Sequence, residues 1–181
     1  MALLTILKFP HPTLRAKAEP VTDFGPELAR LAADMAETMY VAPGVGLAAN
    51  QIGVTRQILV YDPAPAEDPA QRRYHVLINP KIVAAEGEEV GEEGCLSVRE
   101  YCSEVKRAWK IVVEAQDLQG QPLRIEAEDF PARVLQHEID HLNGILFIDR
   151  ISALKRALYK KKLKKLLQAE QEAEEARRDN E

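Results

Sequence analysis

The sequence predicts an α+β domain in which strands wrap around a central metal-binding helix, with a further helix at the C-terminus. Three observations predict it. Residues 130–142 repeat at helical spacing and carry two different faces that need burial. Runs rich in β-branched residues precede that segment without the strand–helix alternation of βαβ units. From Ser152 onward, the chain is dense in lysine and then in glutamate, a solvated helical composition.

The first element follows from Leu28, Leu31, Met35 and Met39, which recur at helical spacing and place a helix over about 26 to 41. Thr22 or Asp23 would cap it, Pro26 sits near its first turn, and Pro43-Gly44 ends it. Strands are expected at Gln57–Tyr61, His75–Ile82 and Lys110–Ala115. The last leads through Asp117–Gly120 into Leu123–Ala127 as a hairpin. Pro63–Arg72, with three prolines and mixed charges, lies between strand-like runs and is expected to be a surface loop.

The next helix is expected over Phe130–Leu142, with Asp129 as N-cap, Pro131 in the first turn and Gly144 just beyond the end. At about 100° per residue, Leu135, Ile139 and Leu142 form one stripe. His137 and His141 lie well around the axis from it. A helix with core on one side and a metal on another belongs inside the domain, which is why strands are expected to surround it.

The 181-residue length suits one domain with an appendage, here 1–150 followed by a charged extension at 151–181. Hydrophobic residues at 46% and charged residues at 29% are ordinary for a globular protein and argue against disorder. The net charge of −5 gives no general reason to expect nucleic-acid binding. Met1–Leu7 lacks a charged leader and meets Pro10 early, and no stretch is long enough to span a bilayer. A cytoplasmic, reducing setting is therefore expected, where Cys95 and Cys102 are better suited to metal binding or catalysis than to a disulfide.

The most specific chemistry is at His137-Glu138-Ile139-Asp140-His141. Helical residues four apart share a face, so both imidazoles can reach one ion while Glu138 flanks it as an acid–base group. Open catalytic sites of this kind take three protein ligands and a water, so a third ligand is required. Cys95, in Glu93-Gly94-Cys95-Leu96-Ser97, is the best candidate, because the glycine permits close approach and a thiolate suits borderline or soft ions. Such a site would let Glu138 help a metal-bound water hydrolyse a carbonyl substrate.

Gly44-Val45-Gly46-Leu47-Ala48-Ala49-Asn50-Gln51 satisfies a dinucleotide-binding pattern only mechanically. A helix precedes its glycines, and too few residues follow for a crossover helix before the strand at Gln57. It fits better as a backbone wall that a substrate approaches closely, with Gln51 as an amide donor to a developing oxyanion. Arg107 is a candidate partner for a carboxylate such as Glu93 or Asp140.

Taken together, G-V-G-L-A-A-N-Q at 44–51, E-G-C-L-S at 93–97 and Q-H-E-I-D-H at 136–141 resemble the three signature motifs of the peptide deformylases, in the family's order and spacing. His11-Pro12-Thr13-Leu14-Arg15 is also similar, so the resemblance covers roughly residues 5 to 150. It implies removal of the formyl group from the N-terminal formylmethionine of nascent polypeptides, with release of formate. It further implies that Cys95, His137 and His141 bind one divalent ion, Fe(II) natively and often zinc or nickel after exchange. Glu138 would move protons, Gln51 and the backbone N–H of Leu96 would stabilise the oxyanion, and Gly46 would hydrogen-bond the substrate backbone. The chain departs from many members at Arg99-Glu100-Tyr101-Cys102, where a different loop is expected.

The resemblance also implies that the basic tail, with Lys155, Lys160, Lys161, Lys162, Lys164 and Lys165, can dock on the ribosome. The plainer expectation is a solvated helix face whose last ten or so residues are frayed. Two other functions compete for the motifs. A zincin-type protease shares H-E-x-x-H but takes its third ligand downstream. A closed structural site would need a fourth ligand from Cys102, Asp140 or His75.

Overall fold

A computed structural model describes residues 2–178. In chain order its main elements are α1 (Pro26–Val41), β1 (Gly46–Ala48), β2 (Ile58–Tyr61), β3 (His75–Glu86), β4 (Glu89–Cys95), β5 (Val98–Arg107), β6 (Lys110–Gln116), β7 (Pro122–Glu128), α2 (Asp129–Leu142) and α3 (Ala153–Arg178). Five strands form one antiparallel sheet in the order β1-β2-β3-β6-β7, and β4 and β5 form a separate two-stranded ribbon.

β2 shows why the fold has helices on both sides of this sheet. Its four residues are all buried, and successive side chains point to opposite faces. Ile58 and Val60 pack with Leu28, Met35 and Met39 of α1, while Leu59 and Tyr61 pack with Leu135, Ile139 and Leu142 of α2. Ile111, Val113 and Ala115 of β6 extend the α2 side at period two. The stripe of Leu135, Ile139 and Leu142 expected on this helix is therefore the one that meets the sheet.

Helix termini depart from the sequence expectation in detail. Gly25 caps α1 in place of Thr22 or Asp23, and Pro26 takes the first position, where its missing N–H leaves no bond unmade. Glu128 caps α2, and Asp129 is its first residue with φ of +54°. Its carboxylate accepts a hydrogen bond from the Trp109 indole, a tertiary contact that outweighs a local capping role.

The β4–β5 ribbon was not foreseen, for a physical reason. Along β4, Glu93 is buried whereas Val90 is 59% exposed, so the strand's polarity is the reverse of an ordinary half-buried strand. β3 also runs beyond Ile82 to Glu86.

α3 lays one stripe on the body. Tyr159 and Leu163 are buried with Leu14, Val98, Phe147 and Ile148, and Arg99 of β5 pairs with Glu170 at 2.7 Å. The helix continues to Arg178, farther than a frayed last ten residues would allow, and 179–181 lie outside the described residues. No helix among the described residues is long and apolar enough to cross a membrane.

Candidate metal centre

α2 presents His137 and His141 one turn apart, with their Nε2 atoms 3.2 Å from each other. Cys95, at the end of β4, brings its Sγ to 3.2 Å from Nε2 of His141. All three donor atoms lie within 4.8 Å of one another, and among the described residues no other group of histidine, cysteine or acidic side chains is so placed. A tetrahedral ion at about 2.0–2.3 Å from each donor would hold them roughly 3.3–3.7 Å apart, so the spacing fits one first-row divalent cation. Cys102, Asp140 and His75 are outside the cluster: Cys102 is exposed, Asp140 binds Arg107 and Arg150, and the His75 ring lies against Tyr61.

The surroundings aim the donors. His137 Nδ1 lies 2.9 Å from Glu93 Oε2, so with the proton on Nδ1 the Nε2 lone pair points at the cluster. Glu93 also receives both Nε and Nη2 of Arg107, at 2.8 and 2.9 Å, and Nη1 of Arg133 at 3.0 Å. Burial alone would raise the Glu93 carboxyl, but hydrogen bonds from Arg107 and His137 outweigh it and hold the group at about 2. Arg107 also reaches Asp140, which Arg150 grips from outside. The candidate partners of Arg107, Glu93 and Asp140, are thus both engaged.

Burial pushes His141 well below its ordinary value, favouring the neutral form that a ligand needs. At His137 burial acts in the same sense, yet bonding to Cys95 and Glu93 drives the group upward.

Glu138 is the buried acid of the cleft. Its Oε2 has no hydrogen-bond partner, and burial, aided by the charge of Glu93, lifts its carboxyl to about 7. Gln51, 1% exposed, sits on the short turn Ala49–Ile52. Its Oε1 accepts from the Ala48 N–H at 2.9 Å, and its Nε2 donates to Ser97 Oγ at 3.1 Å and lies 3.6 Å from Cys95 Sγ. Gln51 is therefore a held amide and not a solvated turn residue. α1 precedes the Gly44–Gln51 segment and β1 and the turn occupy it, so no βαβ phosphate site exists there.

The sequence singled out neither Ser97 nor Arg133. Arg133 had a signal: it stands four residues before His137, on the ligand face of α2. A cleft of about 380 Å³ is lined by Gly44, Gly46, Gln51, Gly94, Leu96 and Arg133, together with Cys95, His137 and Glu138 of the donor cluster and its flank.

A sequence profile described as polypeptide deformylase matches residues 3–157. The chain belongs to the peptide deformylase family. A peptide deformylase of Desulfotalea psychrophila is 54% identical over 165 residues, covering 91% of this chain and 97% of the relative. The crystal structure of the Legionella pneumophila peptide deformylase superposes with a TM-score of 0.84 at 44% identity, covering 93% of this chain and 98% of that one. A Met-Ala-Ser-bound peptide deformylase from Acinetobacter baumannii superposes with a TM-score of 0.77 at 35% identity, covering 83% of this chain and 99% of the other. Peptide deformylases are hydrolases of protein biosynthesis that act on nascent formyl-peptides, and the α+β architecture expected from sequence is the family's.

Proposed function

We propose that this protein is a metal-dependent hydrolase that removes the N-terminal formyl group from formylmethionine of nascent polypeptides and releases formate. One observation carries the proposal: Cys95 Sγ and the two Nε2 atoms converge within a cleft that also holds the unpartnered Glu138 carboxylate. The Met-Ala-Ser ligand of the Acinetobacter relative, a peptide beginning with methionine, supports a methionine-first peptide as the ligand of this chain.

Cys95, His137 and His141 would hold one divalent ion, Fe(II) in the cell, with zinc or nickel as substitutes. When bound, the ion supplies Lewis acidity toward a water and toward the formyl oxygen. Glu138 takes a proton from the attacking water at Oε2 and passes it to the departing amine nitrogen. Gln51 Nε2 and the Leu96 N–H stabilise the oxygen that gains charge, Gln51 being kept in place by Ala48 and Ser97. Gly46 belongs to β1, an outer strand of the sheet, and lines the cleft together with Gly94 and Cys95 of β4. Its backbone hydrogen-bonds the substrate as an added strand would.

Formate release from a formyl-Met peptide by anaerobically prepared protein tests the proposal, with Glu138→Ala as control. That variant is expected to keep its ion and lose nearly all turnover. Cleavage of unformylated peptides would instead indicate a zincin-like endopeptidase. A formyl carbon carries hydrogen where an acetyl carbon carries a methyl group, so acetyl-Met peptides are expected to react far more slowly; equal rates contradict the narrow-site argument.

In this proposal the catalytic unit spans 1–150 and acts in the cytoplasm, and 151–181 is a charged extension that can reach the ribosome. Lys160, Lys161, Lys164 and Lys165 are exposed on α3 and offer charge to phosphates. Deleting residues after Ala153 would also remove the buried Tyr159 and Leu163. Glutamine at those four lysines is the cleaner variant, and unchanged salt-dependent ribosome binding would remove the idea.

A further inference from the structure

The ribbon that carries Cys95 is not hydrogen-bonded as a strand to the five-stranded sheet. A lone two-stranded ribbon is marginal in water, so something outside its own ladder must fix where Cys95 stands relative to α2. Arg133 is placed to do this. It lies on α2 one turn before His137 and is buried, with 6% exposure. Its Nη1 donates to Val105 O of β5 at 2.8 Å and to Glu93 Oε1 of β4 at 3.0 Å, with Gly91 O at 3.4 Å. Its Nη2 donates to Glu89 O at 3.0 Å. One guanidinium thus grips both strands of the ribbon and the carboxylate that orients His137.

The ribbon has room cut for that group. A Cβ on Gly91 would have three Arg133 atoms as its nearest neighbours, Cζ and Nε at 3.0 Å and Nη2 at 3.1 Å. Gly91 has no left-handed backbone to explain its choice, so the close approach of the guanidinium accounts for it. A lysine could not replace the fork, because one ammonium cannot bond acceptors on two strands in a fixed plane.

We propose that Arg133, seated against Gly91, is a positioning residue that docks the Cys95-bearing ribbon onto α2 and so holds the sulfur in register with His137 and His141. The proposal rests on those three residues being the ligand set. In this role Arg133 acts through its bonds to the ribbon. It acts by keeping two separate elements at one distance, and its loss lets the ribbon open locally while the sheet stays folded.

The test uses the full chain loaded with Ni(II) and four variants: Arg133→Gln, Arg133→Lys, Gly91→Ala and the Arg133→Gln/Gly91→Ala double. Two quantities are measured: amide hydrogen exchange in β4 and β5 against that in β2 and β3, and the rate at which excess EDTA strips Ni(II). Arg133→Gln is expected to speed ribbon exchange and Ni(II) loss by about 10-fold or more, leaving sheet amides unchanged. Gly91→Ala should move both in the same direction by less, and Arg133→Lys should fall between Gln and the native residue. Adding Gly91→Ala to Arg133→Gln should change nothing further, because the group it displaces is gone.

Native ribbon protection in Arg133→Gln overturns the proposal, as does an equal rise in sheet exchange or additive effects in the double variant. If Arg133→Gln does not fold, Gly91→Ala alone decides, and an unchanged ribbon refutes the docking. Failure of the native chain to bind Ni(II) would instead refute the ligand set, while ribbon exchange would still report on the Arg133 contact.

Discussion

Gly46 packs directly against Glu138, since a Cβ on Gly46 would overlap Glu138 Oε1 and stand 2.7 Å from its Cδ. The first motif therefore contributes an absence of atoms as well as a backbone, and the carboxylate occupies the space. Gly46→Ala must displace the Glu138 head, and a misplacement of about 1 Å at a reacting group can cost roughly 10²-fold. The expected outcome is a fall in kcat of about that size with metal content unchanged. Native turnover in Gly46→Ala would show that Glu138 tolerates displacement.

Glu93 joins two guanidiniums to an imidazole inside the protein, with side-chain exposures of 2% for Arg107 and 4% for Glu93. Removing the charge from one member leaves buried cations unpaired, which costs about 3–5 kcal/mol. Glu93→Gln is expected to lower the urea midpoint accordingly and to weaken metal retention. A midpoint equal to the native one would mean that the arginines find other partners.

Asp149 gives the stability a pH dependence away from the Cys95–His137–His141 cluster. Burial would raise its carboxyl, but the hydrogen bond from Arg15 and the Leu146 N–H hold it below its ordinary value. A lowered folded value means that the stabilisation is fully present above the unfolded value of about 3.9 and disappears as pH falls through the folded one. The pair is partly exposed and screened, so Asp149→Asn should cost only about 0.5–1 kcal/mol at pH 7. The gap between the two proteins should narrow as pH falls below that unfolded value, as read by denaturant melts at pH 7 and in acid.

α3 separates packing from charge. Leu163 is 5% exposed among Leu14, Phe147 and Tyr159, whereas Leu158 is 58% exposed. Leu163→Ala should cost about 2–4 kcal/mol and Leu158→Ala less than about 0.5 kcal/mol by the same melts. Equal effects would mean that the helix does not pack on the body as described.

The amino-acid sequence on its own determined the two amphipathic helices, most of the sheet, the pairing of His137 with His141 and the order of the three motifs. These follow from covalent geometry: a helix repeats every 3.6 residues and a strand every two, so neighbours along one element are legible from spacing. It also marked Cys95, Glu138 and Gln51, because their chemistry is uncommon in that context.

Only the tertiary structure decided where the sulfur stands, since Cys95 and His141 are 46 positions apart and lie on elements that share no sheet. It alone revealed a strand with its acid inside and its valine outside, a pattern that hydrophobic periodicity misses because Glu93 is neutralised by Arg107 and Arg133 from other elements. Burial of a charge is decided by what packs against it, and no local spacing records that partner.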